Sequence, residues 1–525
     1  MRKSLLRLFN TEVGLRRSSV ILLLILVGVG LSAALHSFVK PFWSDEIFTV
    51  MMCRLPNASQ IWKALDDVVD TNPPIYHLVC RLTRQIAWDD HLGYRLPSII
   101  GLLGTIFFLY HILSRRVDHL SALVGATFVL CTQLAVYASE ARPYALMVGC
   151  ISGAIFAWQR IDDSRLYYLL FGFTLAAAAS VHYYAILVWP AFVIAETTVW
   201  LFGRRFRIGA WAALFVGATP LLFFAELILR LRQYGQNFWA PASFSQVLWA
   251  DSWLFNFGSN LLGGAVATWG LTIMFAVTAM FVYFNFGKRA ISGSSGRRKI
   301  SDIVLPLEEC VLVLMLLLLP LIEVAAAKVS HGGMMYRYMM PTVLGGALAV
   351  GYLASRVPRA VNGLLLMVIC MNYGLSSAGD VKKLLTGSLL EPRVAAAEEV
   401  KAILTELHGS DLPIVISSGL QYLPLAYYTP ADSSRRLYAL TDVRSALAFT
   451  GTDSADLALL ALRRYYPLQI EEYNDFAARH REFLLVSENK GRFDWWPARL
   501  SHDGHTLRLL TQVGDSQVFK VTLRP

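Results

Sequence analysis

Long apolar stretches recur along the first 377 residues of this chain. A helix needs about 20 consecutive apolar residues to cross the roughly 30 Å hydrocarbon core of a bilayer, and the stretches have about this length. The pattern therefore predicts a polytopic α-helical membrane protein with about eleven transmembrane helices. The predicted spans are residues 19–35, 96–113, 120–137, 144–158, 166–181, 185–202, 208–225, 260–285, 303–326, 338–355 and 360–377.

The first two predicted spans are joined by a long loop, residues 36–94, that carries its own helical patterns. Apolar residues recur at helical spacing over residues 61–69, which predicts an amphipathic helix on the membrane surface. Its polar face carries Asp66, Asp67 and Asp70. Prolines end this helix, and a second short helix is predicted over residues 75–86. A second outer loop, residues 226–260, is rich in aromatic residues and is either an interfacial belt, which we favour, or a lid over a lipid or sugar.

After about residue 378 the composition becomes that of a soluble domain, residues 378–525. Periodicity predicts a helix over residues 400–407, buried strands over 412–418 and 483–487, and a hairpin joining 507–510 to 518–523. A small α/β domain is expected. Because it contains neither a phosphate-binding glycine loop nor metal-ligand spacing, we assign it a supporting role.

Basic residues are concentrated in every second loop, and this orients the helices. The loops concerned are the amino terminus and residues 115–116, 160–165, 204–207, 288–299 and 356–359. Short cytoplasmic loops retain positive charge, so the amino terminus is predicted to be cytoplasmic and the loop 36–94 and the carboxy-terminal domain to lie outside. Anionic membrane lipid then accounts for the net charge of +10, and no nucleic acid partner is expected.

Two features of the first outer loop and first span leave alternatives open. Cys53 and Cys80 lie in the same outer loop, and a disulfide between them is one possibility in an oxidising compartment. The first span is either a cleavable signal peptide or an uncleaved anchor. We favour the anchor, because cleavage would remove the helix that positions the acidic pair following it.

Charged residues interleaved with tyrosine and proline occur at the outer ends of four predicted spans. They lie in Trp43-Ser44-Asp45-Glu46, Tyr94-Arg95-Leu96-Pro97-Ser98, Tyr137-Ala138-Ser139-Glu140-Ala141-Arg142-Pro143-Tyr144 and Tyr336-Arg337-Tyr338-Met339-Met340-Pro341. A single juxtamembrane charge usually faces water. Four groups on one face instead favour a functional site at the outer surface.

These motifs resemble those of the GT-C superfamily of polytopic glycosyltransferases, close to bacterial relatives of protein O-mannosyltransferases and the lipid A aminoarabinose transferase. The pair Asp45-Glu46 is similar to the hallmark acidic motif of the superfamily. The other similar motifs are Arg95-Leu96-Pro97-Ser98, Ala141-Arg142-Pro143-Tyr144, His182-Tyr183-Tyr184 and Arg337-Tyr338. The resemblance extends over about residues 18–375 and implies a bacterial inner-membrane enzyme that works on the periplasmic side.

The resemblance also implies the reaction. A sugar would pass from a polyprenyl-phosphate donor to a lipid, polysaccharide or protein acceptor, with inversion. Asp45 is the expected general base, because a partly desolvated carboxylate can have a raised pKa. Glu46 either orients the site or is a solvated neighbour. Glu140 either pairs with Arg142 or positions the acceptor.

The donor phosphate requires cations, and Arg337 is the favoured contact because a guanidinium group matches phosphate oxygens. Arg95 and Arg142 are either phosphate ligands or structural, and Tyr144 and Tyr338 are predicted to contact substrate. His182 is a phosphate or metal ligand or a helix-end residue. No cofactor is certain; a divalent cation is possible, but no ligand set is evident.

A lipid or glycan transporter is the alternative from a different class. Transporters carry ionisable residues near the membrane midplane and broken helices in repeated halves. Here the charges cluster on one face and no internal repeat is evident. The pattern therefore favours surface chemistry.

Overall fold

The computed structural model describes residues 2–234, 237–240, 242–245, 247, 253–255, 305–330, 333–389, 411–429, 434–488 and 493–524. The predicted span 260–285, the basic loop 288–299 and the predicted helix 400–407 lie outside the described residues.

The first part of the chain is helical throughout. Its helices are α1 (Arg2–Val39), α2 (Ser44–Arg54), α3 (Ala58–Asp66), α4 (Pro74–Ile86), α5 (Asp90–Leu113), α6 (His119–Thr127), α7 (Gln133–Tyr137), α8 (Tyr144–Gln159), α9 (Leu166–Val181), α10 (Trp189–Gly203), α11 (Ile208–Phe223), α12 (Ala225–Tyr234), α13 (Leu307–Leu317), α14 (Leu319–Ser330), α15 (Thr342–Ala354), α16 (Arg359–Ser376) and α17 (Ala378–Thr386). Short 3₁₀ helices cover Phe128–Cys131, Tyr183–Val188 and Tyr336–Met339. Several starts are capped as the sequence favours; for example, the Asn57 side chain accepts a hydrogen bond from the Gln60 amide of α3 at 2.9 Å.

Apolar helices long enough to cross a membrane occur in the described residues. Four qualify singly: residues 17–39, 90–113, 183–203 and 359–376. The pairs α11–α12 and α13–α14 each qualify only as one bent span, with bends of 62° and 59°. Four further apolar helices are shorter. The helical membrane class is thus confirmed, while the number of eleven spans stays a prediction.

The sequence predicted one continuous span over residues 120–137, and this is wrong. Helix α6 ends at Thr127, a 3₁₀ turn follows, and α7 starts anew at Gln133. The Thr132 hydroxyl accepts a hydrogen bond from the Leu134 amide at 3.3 Å and so caps the new helix. A hydropathy window does not detect such a break, because the residues on both sides remain apolar.

Helices α5 and α8 pack so closely that glycine is required at their contact. A Cβ atom at Gly101 would lie 2.3 Å from the carbonyl oxygen of Ala145, and one at Gly149 would lie 2.7 Å from that of Gly101. The contact matters for the site, because α5 carries Arg95 and α8 begins at Tyr144.

The carboxy-terminal part is an α/β domain with a six-stranded sheet in the order β3-β2-β1-β4-β6-β5. Its strands are β1 (Ile414–Ile416), β2 (Leu437–Thr441), β3 (Ile470–Glu472), β4 (Glu482–Ser487), β5 (Thr506–Val513) and β6 (Ser516–Thr522). Strands β1 to β4 pair in parallel, and β6 is antiparallel to β4 and β5. The helices are α18 (Gly419–Tyr428), α19 (Val443–Thr450), α20 (Ser454–Leu462), α21 (Tyr473–Arg479) and α22 (Trp496–His502). The predicted strands and hairpin are confirmed.

Tyrosines anchor this domain to the outer-loop helices. The Tyr428 hydroxyl accepts a hydrogen bond from the Phe42 amide at 2.6 Å and lies 2.9 Å from Nε2 of His91. The Tyr465 hydroxyl donates to Asp67 at 2.6 Å, and Tyr466 donates to the carbonyl oxygen of Met51. These hydrogen bonds fix the domain against the outer-loop helices, including α2, whose first turn contains Asp45.

Candidate active site

Asp45 lies in the first turn of α2, where the chain emerges from α1. Its carboxylate oxygen Oδ2 is 2.7 Å from Nη1 of Arg337, and both side chains are largely buried, with exposed fractions of 20% and 15%. Arg142 approaches the same oxygen at 3.9 Å and donates a hydrogen bond to the backbone carbonyl of Asp45 at 3.0 Å. Three predicted site residues are thus brought together.

The electrostatics of Asp45 differ from the prediction. Burial alone would raise the pKa of Asp45, but the guanidinium groups of Arg337 and Arg142 outweigh it and hold that pKa below its usual value. The expected raised pKa is therefore wrong for the protein without substrate. The sequence does not show this, because it does not reveal which cation would lie against the carboxylate.

Glu46 and Arg95 form a buried ion pair behind Asp45. Both side chains are fully buried, and Arg95 donates to both carboxylate oxygens at 2.7 Å. The remaining Arg95 donors contact the carbonyl oxygens of Ser37, Lys40 and Pro41. Glu46 also accepts from the Ala141 amide at 2.6 Å. These contacts hold α1, α2 and α5 together. They also occupy all three nitrogen atoms of the Arg95 guanidinium group.

Glu140 pairs with Lys40, whose Nζ lies 2.9 Å from Oε1, and the alternative pairing with Arg142 is wrong. Burial raises the pKa of Glu140 although Lys40 opposes the shift. Its second oxygen, Oε2, is buried and has no hydrogen-bond partner among the described residues.

His182 lies in an aromatic cluster that also contains two of the predicted substrate contacts. Its ring centroid is 5.2 Å from those of Tyr144 and Tyr338, and Tyr338 stacks on Tyr184 at 4.2 Å. Nδ1 of His182 accepts from the Tyr184 amide at 3.2 Å, so this nitrogen caps a helix. Burial, followed by Arg142 and Arg337, lowers the pKa of His182 to about 3, which keeps the ring neutral.

The described residues do not fit a divalent cation. They contain no group of three or more His, Cys, Asp or Glu side chains that could hold a metal ion. The carboxylates of Asp45 and Asp70 instead face arginines.

Two chambers meet at the site. A polar chamber of about 350 Å³ is lined by Asp45, Asp70, Arg142 and Arg337 together with residues of the carboxy-terminal domain. An apolar chamber of about 600 Å³ lies between the 3₁₀ helix Tyr183–Val188 and the bent helix pairs α11–α12 and α13–α14. Thr71, Phe238 and Tyr338 line both chambers. A charged group and an apolar tail can therefore be accommodated side by side.

Sequence reasoning missed Asp70. It placed this residue on the polar face of a surface helix, but α3 ends at Asp66 and Asp70 is buried. Its carboxylate lies 3.9 Å from Arg142 and 3.5 Å from Nε2 of His77. The turn before it contains Val68 with a φ of 60°, an unfavourable value for a β-branched residue. The sequence Asp70-Thr71-Asn72-Pro73-Pro74 predicts a turn, but it does not show that the turn directs Asp70 into the protein.

Part of the sequence and the overall fold are similar to known proteins. Residues 71–229 match the family of dolichyl-phosphate-mannose-protein mannosyltransferases. The fold is similar to that of ArnT from Cupriavidus metallidurans in the apo state, with a TM-score of 0.51, 12% identity and coverage of 95% of this chain and 97% of that one. The predicted GT-C resemblance is confirmed. At this identity the structural likeness shows the fold, and it extends beyond residues 18–375 into the carboxy-terminal domain.

Two further structures give lower scores. ArnT from the same organism bound to undecaprenyl phosphate has a TM-score of 0.45 at 13% identity, covering 95% of this chain and 97% of that one. The Archaeoglobus fulgidus oligosaccharyltransferase in the apo form has a TM-score of 0.45 at 10% identity, covering 89% and 69%. No curated protein matches this sequence.

Proposed function

We propose that the protein transfers a sugar from a polyprenyl-phosphate donor to an acceptor, with inversion and with Asp45 as general base. The observation that supports this most directly is the 2.7 Å contact between Asp45 and Arg337 in the polar chamber, which shares Thr71, Phe238 and Tyr338 with the apolar chamber. Under this proposal a base and a phosphate-binding cation would lie within reach of one reacting bond.

The donor would occupy both chambers. Its isoprenoid tail suits the apolar chamber, whose walls include Leu187, Leu221 and Ile228. Its phosphate would lie in the polar chamber, which Arg337 and Arg142 line; the Nε atoms of both are buried donors without a hydrogen-bond partner among the described residues. Buried unpaired donors of this kind suit an anionic ligand.

Donor binding would also activate Asp45. In the protein without substrate, Arg337 holds the carboxylate in its weakly basic form. A donor phosphate competes for the same guanidinium group, and burial, which raises the pKa of Asp45, then meets less opposition. The base would become stronger when the donor is in place.

The step itself is a single displacement. The acceptor hydroxyl transfers its proton to the Asp45 carboxylate while its oxygen bonds to the anomeric carbon from the side opposite the phosphate. The bond between that carbon and the phosphate oxygen breaks, and polyprenyl phosphate leaves with the electron pair. Arg337 and Arg142 stabilise the charge on the departing phosphate.

The loop distribution of Lys and Arg supports placing this chemistry on the periplasmic side of a bacterial inner membrane. Asp45 and the carboxy-terminal domain would then share the compartment in which lipid-linked sugars, not nucleotide sugars, serve as donors.

Arg337→Ala tests the proposal. The purified protein in nanodiscs would be titrated with a short-chain polyprenyl phosphate and assayed for sugar transfer from the corresponding polyprenyl-phosphate hexose. We expect the affinity to fall about 10- to 100-fold, since a hydrogen bond to a charged group contributes about 1.5–3 kcal/mol. Arg230→Ala is the matched control, because Arg230 is half-exposed and pairs with Asp66 outside both chambers. Unchanged affinity in Arg337→Ala would contradict the proposal.

A further inference from the structure

One wall of the polar chamber belongs to the carboxy-terminal domain. It is formed by α18 and α20 and consists of small or apolar residues: Gly419, Leu420, Leu423, Ser454, Ala455, Ala458, Leu459 and, after β4, Phe493. Within the described residues this wall presents no ionisable side chain to the chamber. Hereafter we refer to these eight residues as the domain wall.

The ionisable groups on the opposite wall already balance one another. Asp45 faces Arg337 and Arg142, and Asp70 faces Arg142, so two carboxylates meet two guanidinium groups. A donor phosphate bound at Arg337 would add negative charge to this balanced set. A second anion in the same small chamber would then be repelled, whereas an uncharged acceptor would not.

Aromatic side chains line the space between the two walls. Trp239 and Phe493 lie with ring centroids 5.9 Å apart, and Trp43 lines the same chamber. The buried Nε1 of Trp43 has no hydrogen-bond partner among the described residues. Aromatic faces together with indole N–H donors suit a ligand that has apolar faces and a hydroxyl edge, as a sugar ring does.

From this arrangement we infer that the carboxy-terminal domain forms the acceptor half of the site, and that the acceptor is an uncharged carbohydrate hydroxyl held against the domain wall. This inference rests on the proposed function, and it replaces the supporting role that the sequence suggested for the domain. The contacts of Tyr428 and Tyr465 with the outer-loop helices fix the distance between the wall and Asp45.

The test is direct binding of two matched probes, phenyl β-glucoside and phenyl β-glucuronide, which differ by a carboxylate. Titrations use the full-length protein in nanodiscs saturated with a short-chain polyprenyl phosphate. We expect the glucoside to bind at least tenfold more tightly than the glucuronide. Ala458→Phe should occupy the space against the domain wall and weaken glucoside binding at least tenfold. Ala448→Phe is the control, because Ala448 is exposed on α19 of the same domain and lies outside the chamber.

The outcomes separate this inference from the proposed function. Polyprenyl phosphate affinity should stay within twofold of wild type in both variants, which also reports on folding; if Ala458→Phe does not fold, Ala455→Leu takes its place. The inference is overturned if the wild type binds neither glycoside, if the glucuronide binds as tightly as the glucoside, or if the folded wall variant binds the glucoside normally. Failure of the wild type to bind polyprenyl phosphate would instead overturn the proposed function.

Discussion

Replacing Asp45 with asparagine should slow sugar transfer but strengthen donor binding, because the carboxylate is expected to promote the first and to compete with the second. The substitution removes the proposed base, and general-base contributions of about 10²–10⁴-fold set the expected loss of transfer. It also removes the carboxylate that holds Arg337 at 2.7 Å. Hydrogen bonds to charged groups contribute about 1.5–3 kcal/mol, and every 1.4 kcal/mol changes a dissociation constant about tenfold. Polyprenyl phosphate should therefore bind about 10- to 100-fold more tightly to Asp45→Asn than to wild type.

The assay has two parts on the same nanodisc preparation. Titration with a short-chain polyprenyl phosphate gives the affinity, and mass spectrometry of products from a polyprenyl-phosphate hexose gives the transfer rate. Asp90→Asn is the matched control, because Asp90 also pairs with an arginine, Arg54 at 2.8 Å, but lies outside both chambers. It should change neither quantity by more than about twofold, as expected for a partly exposed pair whose side chains are 42% and 31% exposed.

Two results would refute this reasoning. Full transfer activity in Asp45→Asn would remove the carboxylate from the chemistry. Weaker or unchanged polyprenyl phosphate binding would show that Asp45 and the phosphate do not compete for Arg337, and the activation of the base by donor binding would be lost with it.

Three further outcomes are expected. Arg95→Ala should destabilise the protein by about 3–5 kcal/mol, because it leaves the buried carboxylate of Glu46 unpaired. Arg54→Ala is the control and should cost at most about 1 kcal/mol, because the Arg54 side chain is 42% exposed. Thermal unfolding measures both effects, and equal effects would contradict the structural role of Arg95. Gly101→Ala should destabilise by about 1–3 kcal/mol through its clash with α8, while Gly28→Ala, with nothing within 4 Å, should be tolerated. The pKa of Asp45 is lower in the folded protein than in the unfolded chain, where it is about 3.9. Its ion pair therefore stabilises the folded protein above about pH 3.9, and this stabilisation is lost as the pH falls through the folded pKa. The difference in thermal midpoint between wild type and Asp45→Asn should be constant from about pH 5 to 8 and shrink below about pH 4.

Hydropathy and loop charge were sufficient to predict the membrane class, most helix positions and the common face of the four motifs, because these follow from local composition. The partners of the charged residues were not predictable. Asp45 and Arg337 are 292 positions apart in the chain, and the pairing of Glu140 with Lys40 spans 100 positions. Nothing local distinguishes Arg142 from Lys40 as the partner of Glu140; only the packing of helices decides it.

The acceptor role that we propose for the carboxy-terminal domain has little sequence signal for a related reason. Its wall residues are glycine, serine, alanine, leucine and one phenylalanine, which carry no motif and resemble an ordinary helical surface. Only the structure shows that these residues face the same chamber as Asp45, with the domain held in place by the contacts of Tyr428 and Tyr465. A binding surface that is defined by its shape and by the absence of charged residues cannot be recognised from a motif in a single sequence.

The pairing of Asp45 with Arg337 implies an order of events. Under the proposed function, while Arg337 holds the Asp45 carboxylate the base would be weak and the phosphate-binding cation occupied, so an acceptor that arrives first would meet an inactive site. The donor phosphate alone carries the charge needed to displace Asp45 from Arg337, because an uncharged acceptor competes poorly for a guanidinium group. Donor binding would therefore precede acceptor activation, and the strength of this one ion pair would set both donor affinity and the basicity available to the displacement.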